Sequence, residues 1–307
     1  MGVTVHRTSV VMVLAWLTLA AGCSRLPDTG VTLLKPKTLS DLQGQLLSKK
    51  PDLEQFRLRG PYAVVVQEDY EIRLSTTESI NTDLFLSSHA EKAPLVVFLH
   101  GYDNSKEDHS YQAMHLASWG MHCLTLQLPN NGPWVRNGRT LAKLVDFISH
   151  WPEIIDNRVD LKKIILVGHS FGGSSVAVAL AEGAPAIGGI LLDPAAIGRD
   201  IPVFLRKINT PVLLLGADER VYSARDRDYF FRFIPSGVAE VSIKDATHED
   251  AQFPSYFALT TNELQVTFVS ALTSAALSLS STGQFDYAWE GLGDALGDGK
   301  FINAKKK

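Results

Sequence analysis

The chain has 307 residues, 45% of them hydrophobic, and a formal charge of −4. That supplies apolar residues for one large core, and α/β proteins of this length are commonly a single domain. The slightly acidic balance gives no electrostatic footprint for nucleic acid, and no internal repeat or low-complexity block interrupts the sequence.

At the N-terminus His6 and Arg7 form a short basic region, and residues 9–19 are apolar but too few to cross a bilayer. The stretch ends in Leu19-Ala20-Ala21-Gly22-Cys23-Ser24. Small residues running into a cysteine resemble the lipobox of bacterial lipoproteins, although Ala20 stands where that motif usually has Leu. The resemblance implies a signal peptide over 1–23, diacylation of Cys23 and a membrane-anchored lipoprotein of a bacterial cell envelope. Cleavage near Ala21, giving a secreted or periplasmic soluble protein, is the alternative. With Cys23 lipidated, Cys123 has no disulfide partner and reads as a buried inert thiol. Residues 24–59, polar and broken by Pro27, Pro36 and Pro51, read as a tether or loose N-terminal arm ahead of a domain over 60–307.

Residues 62–73 and 80–86 are expected as two antiparallel strands opening a sheet. A continuous apolar strand over 94–99 then ends at His100-Gly101-Tyr102. A helix over 111–119, a strand over 123–128 and a helix over 139–150 follow. Next comes the run Ile164-Ile165-Leu166-Val167-Gly168-His169-Ser170-Phe171-Gly172-Gly173, which breaks directly into a helix-forming stretch over 174–182. Further strands are expected over 186–192, 211–215 and 238–243, with helices around 225–234 and over 264–279; Lys305-Lys306-Lys307 reads as a solvated tail. Strands alternating with helices imply a parallel sheet with right-handed crossovers.

Strand, Gly-x-Ser-x-Gly, helix is the context of a nucleophile elbow, with Ser170 lifted to the positive end of the following helix. The order of parts over about residues 60–280 resembles the α/β-hydrolase fold, a mostly parallel central sheet with helices on both faces. Phe98-Leu99-His100-Gly101-Tyr102, Leu116-Ala117-Ser118-Trp119-Gly120 and Gly168-His169-Ser170-Phe171-Gly172-Gly173 are similar to the chlorophyllase, cutinase-like and platelet-activating-factor acetylhydrolase group. That resemblance implies a serine hydrolase cleaving carboxylic esters through an acyl-enzyme, with no cofactor.

Such chemistry needs a nucleophile, a base, an acid that orients the base, and donors for the oxyanion. Ser170 is the candidate nucleophile. His248, in Asp245-Ala246-Thr247-His248-Glu249-Asp250 after the last strand of the pattern, is the candidate base. His169 reads as structural, and His109, His115, His122 and His150 fall on or beside helices and strands. Backbone N–H groups of Phe171 and, by resemblance, Tyr102 are the oxyanion donors. The acid is divided. Asp193 ends the strand after the elbow, in the Leu-Asp setting that chlorophyllases and the acetylhydrolase group use. Asp218, then Glu219, follow the later strand, the position of cutinase-like hydrolases, but a Gly-x-x-Asp register there would select Glu219 rather than Asp218. No spacing of histidines and acids reads as a metal site.

Only 17 residues (194–210) separate Asp193 from the next expected strand, too few for a large cap domain. The site is therefore expected to be open to hydrophobic or bulky esters. Amidase, thioesterase or perhydrolase chemistry on the same residues, and a non-catalytic surface-binding lipoprotein, are the competing readings. The sequence carries no signal of oligomeric state.

Overall fold

The computed structural model describes residues 38–50, 52–89, 91–218, 226–253 and 263–307. Cys23 with its signal-peptide reading, and Glu219, lie outside them. Among the described residues nine strands form one sheet: β1 (Val64–Arg73), β2 (Ser79–Ser87), β3 (Ala93–Leu99), β4 (His122–Gln127), β5 (Val159–His169), β6 (Gly188–Leu192), β7 (Val212–Ala217), β8 (Val238–Ile243) and β9 (Phe301–Lys306). Their order across the sheet is β1-β2-β4-β3-β5-β6-β7-β8-β9. Strands β3 to β8 are parallel; β1, β2 and β9 are antiparallel additions at the edges.

The unbroken apolar runs follow from burial on both faces of this sheet. Successive side chains point to opposite sides. Val96, Phe98, Ile165 and Val167 therefore join one core layer, and Leu95, Val97, Leu99, Ile164 and Leu166 the other. The first layer is closed by α2 (Ser110–Ser118), α7 (Glu263–Thr282) and α8 (Asp286–Gly297). The second is closed by α3 (Trp134–His150), α4 (Phe171–Ala181), α5 (Ile201–Leu205) and α6 (Asp226–Phe233). Among the described residues α7 is the one helix long and apolar enough to span a membrane, and most of it is buried inside the fold. Between β6 and β7 stands only the short α5, so no cap domain is inserted there.

Two expectations are corrected. Residues 38–50 and 52–57, expected to be part of a loose arm, are packed against the core. Thr38 caps α1 (Leu39–Leu47), its side chain accepting from the Asp41 N–H at 2.9 Å. Leu39, Leu42 and Leu46 of that helix and Phe56 beyond it are buried, with Phe56 edge-on to Trp119 at 5.1 Å. Helical spacing of three leucines outweighs the polar, proline-broken composition around them. The C-terminal lysines are not a free tail either: Lys305 and Lys306 belong to β9, and Lys307 exchanges backbone hydrogen bonds with Val238. Lys305 sits opposite Glu240 of β8 and pairs with its carboxylate at 3.0 Å, and Lys306 pairs with Asp286. An edge strand tolerates lysines, which keep it from recruiting another strand. Its charge hides its strand character from any hydropathy pattern.

Three histidines are buried in these layers in neutral form. His109 lies 2.7 Å from Gln112, His115 contacts the Phe56 carbonyl at 2.8 Å, and His122 Nδ1 accepts the Ser87 N–H at 3.2 Å. Burial lowers each to about 4. A histidine depressed in the fold stays neutral while its unfolded counterpart takes a proton. Its stabilising contribution is therefore complete above about pH 6.5 and is lost as pH falls towards 4, at about 1.4 kcal/mol per unit per group. Buried carboxyls raised by burial, Asp83, Asp108 and Glu240, oppose this at the lower end. The expected result is a lower urea midpoint at pH 5 than at pH 7.5; an equal or higher midpoint contradicts it.

Candidate active site

Strand β5 enters the site through a very tight turn of backbone. A β-carbon at Gly168 would stand 2.5 Å from the Gly172 carbonyl oxygen, and one at Gly172 would stand 2.3 Å from that of His100. Both positions must be glycine for β5 to turn into α4 so closely against β3. Between them Ser170 has φ 53° and ψ −125°. A non-glycine residue in this region is strained by about 1–3 kcal/mol, which the surrounding packing sustains. Ser170 N–H donates to the Leu192 carbonyl at 3.1 Å, and the Ser170 carbonyl accepts from Gly173 and Ala195, each at 3.0 Å. The elbow is thus clamped to the end of β6. Ser170 is only 2% exposed, so it is recessed rather than standing clear of the sheet.

Strand β6 delivers Asp193 immediately after its last residue. Its φ of 39° turns the side chain across the carboxyl ends of the strands, while its N–H donates to the Leu215 carbonyl at 2.8 Å. His248 opens a short 3-10 helix (His248–Ala251) after β8 and is 4% exposed. Thr247 and Asp250 fix that turn, the Asp250 carboxylate accepting both the Thr247 N–H at 2.8 Å and its hydroxyl at 2.9 Å. Asp193 Oδ2 lies 2.6 Å from His248 Nδ1. A carboxylate only accepts, so Nδ1 carries the proton and Nε2 is left as the basic nitrogen. Burial alone would push the Asp193 carboxyl up. The His248 hydrogen bond, the Arg227 charge and the Ala217 N–H outweigh it and hold the carboxyl below its usual value.

The other acids stand apart from this pair. Asp218 Oδ2 accepts the Asp245 N–H at 3.1 Å and its own N–H donates to the Ala246 carbonyl, so it shapes the loop that leads to His248. His169 lies beneath His248, with ring centroids 4.5 Å apart and Nε2 3.1 Å from the His248 carbonyl oxygen. Burial, then the neighbouring His248 and His109, hold its imidazole well below the ordinary value. A neutral His169 donates through Nε2 to the His248 carbonyl and packs beneath its ring.

Opposite the elbow, His100 Nδ1 lies 2.9 Å from the Gly101 carbonyl oxygen at the start of the turn. A β-carbon at Gly101 would stand 2.8 Å from Ser170 Cβ, so this turn is in direct contact with the serine. Tyr102 follows, and its N–H has no hydrogen-bond partner among the described residues. Phe171 N–H opens α4, where the first-turn donors lack helical acceptors. The two residues are neighbours, their rings edge to face at 6.3 Å. Trp134 stacks on Phe171 at 5.4 Å, and the Tyr102 ring remains 47% exposed. The result is an aromatic rim of Tyr102, Phe171 and Trp134 beside the elbow.

No group of three or more His, Cys, Asp or Glu is arranged to hold a metal among the described residues. Sequence reasoning missed Arg227, which reaches Asp193 from α6. Its only trace in the sequence is Gly216, a glycine in an otherwise apolar strand end, which signals close approach of another group. Residues 96–297 match the alpha/beta hydrolase family. No curated protein matches the chain.

Proposed function

Because the chain belongs to the alpha/beta hydrolase family, we propose that it is a serine hydrolase of carboxylic esters, with Ser170 as nucleophile, His248 as base and Asp193 as the orienting acid. The observation that carries this reading is the 2.6 Å contact of Asp193 Oδ2 with His248 Nδ1, joined through β5 and β6 to a serine on a strained elbow.

Ser170 Oγ attacks the acyl carbonyl while His248 Nε2 takes its proton. The oxyanion is received by the N–H groups of Phe171 and Tyr102. The protonated imidazole, held by Asp193, then gives its proton to the departing alkoxide and leaves an acyl-serine. Water, deprotonated by the same nitrogen, releases the acid and restores the enzyme. The short β6–β7 connection and the aromatic rim of Tyr102, Phe171 and Trp134 favour a bulky or hydrophobic acyl group. The resemblance to the chlorophyllase and acetylhydrolase group supports the same choice of acid, since Asp193 follows the earlier strand.

The test is fluorophosphonate labelling followed by peptide mapping, with rates on matched esters, thioesters and amides of increasing acyl length. Labelling confined to Ser170 and fastest turnover of esters are expected. Absence of labelling removes the nucleophile; faster turnover of amides or thioesters moves the activity to those classes.

A further inference from the structure

The Asp193 carboxylate has two faces, and the pairing with His248 uses one. Oδ1 accepts the Ala217 N–H at 2.9 Å and is also in direct contact with Arg227 Nη1. The Arg227 side chain is 14% exposed, an unusual depth for a guanidinium. It crosses the end of β7 at Gly216, where a β-carbon would stand 2.6 Å from Arg227 Cζ. The strand therefore omits a side chain at the one point the guanidinium occupies. Behind it, Arg227 Nε lies 3.7 Å from Glu240, Glu240 lies 3.0 Å from Lys305, and Lys305 lies 3.0 Å from Asp228. Behind the His248 contact, charges alternate in a row from Asp193 through Arg227, Glu240 and Lys305 to Asp228. The row passes through Lys305 of the C-terminal strand and returns to α6 at Asp228.

We propose that Arg227 is a positioning residue for the triad: it locks the Asp193 carboxylate by Oδ1, draws on its charge, and thereby extends turnover towards acid pH. The inference rests on the reading of Ser170, His248 and Asp193 as that triad. An unshared carboxylate beside Nδ1 favours the protonated imidazole, which cannot accept the Ser170 proton. A cation on the carboxylate's other oxygen weakens that preference. The gripped Oδ1 also fixes which oxygen faces Nδ1. The remaining neighbours do not take this role. His169, packed against His248 from β5, is held neutral. Asp218 is turned to the Asp245 N–H, Asp250 caps Thr247, and Glu249 accepts from Gln252 at 2.5 Å. Glu240 competes for Arg227, but Lys305 shares it.

The experiment compares kcat/KM from pH 4.5 to 9 in wild type, Arg227→Gln, Arg227→Lys and Gly216→Ala, with fluorophosphonate labelling of each and an NMR titration of the His248 imidazole. Arg227→Gln keeps a donor for Oδ1 without its charge. Its acid limb is expected about one unit higher, with KM little changed and alkaline turnover within about tenfold of wild type. Arg227→Lys returns the limb towards wild type. Gly216→Ala displaces the guanidinium while every charge is retained, and it moves the limb in the same direction as Arg227→Gln. This variant decides the matter if Arg227→Gln does not fold. An unmoved limb and an unmoved imidazole titration overturn the proposal, even where turnover falls evenly at every pH. Loss of labelling at Ser170 in wild type overturns the triad itself, whereas labelling with an unmoved limb overturns only the role of Arg227.

Discussion

Asp193→Asn is expected to leave the fold intact and to lower kcat/KM about 10⁴-fold, the order of loss that follows when a triad acid becomes its amide. The surroundings of the carboxylate dictate why. Oδ1 is occupied by two donors, the Ala217 N–H and Arg227, so the amide oxygen of an asparagine must take that place. The amide NH2 is then forced towards His248 Nδ1, where Oδ2 now sits at 2.6 Å. That nitrogen becomes an acceptor and the ring proton moves to Nε2, the atom that should receive the Ser170 proton. The base is present but in the wrong tautomer. Asp218→Asn provides the contrast, since among the described residues the Asp218 carboxylate accepts the Asp245 N–H alone. It is expected to retain turnover within about threefold and to cost less than about 1 kcal/mol of stability. Activity in Asp193→Asn together with loss in Asp218→Asn would transfer the acid role to the later strand.

Ser170→Ala is expected to abolish turnover, by about 10⁴-fold or more, with a melting temperature within a few degrees of wild type. The substitution removes one oxygen from a recessed position and keeps the β-carbon that packs on Gly101. The strained backbone at φ 53° is imposed by Gly168, Gly172 and the bonds to Leu192 and Ala195, none of which involves the hydroxyl. His248→Ala is expected to fall equally far, and the double variant no further, because nucleophile and base act as one unit. Steady-state rates, calorimetry and the double variant together check this. A double variant far slower than either single one would separate the two residues.

Much of this architecture was legible without coordinates. Continuous apolar runs marked most of β3 to β8, because a strand buried on both faces is lined with apolar side chains on each. The tight turn at Gly168 and Gly172 was legible for a steric reason. The packed arm was not. Leu39, Leu42 and Leu46 supply only two turns of helical spacing inside a polar stretch, and what they pack against is remote in sequence. Strand β9 was invisible because its lysines answer Glu240, Asp228 and Asp286, partners that no local pattern contains.

The sequence by itself determined the parallel sheet, the elbow serine and the histidine that follows β8, since each depends on contacts within a few residues or on a repeating period. It left the acid divided among Asp193, Asp218 and Glu219, because all three follow a strand and strand-end position was the only local criterion. Only the tertiary structure decided which described carboxylate meets His248: β6 lies between β5 and β7 in the sheet, so the turn after it brings Asp193 to the imidazole, while Asp218 is drawn to the backbone of the loop beyond β8. Arg227 and Gly216 belong to that second class as well. Eleven positions separate them in the chain, and only the packing of α6 over the end of β7 makes the missing side chain of one the space for the other.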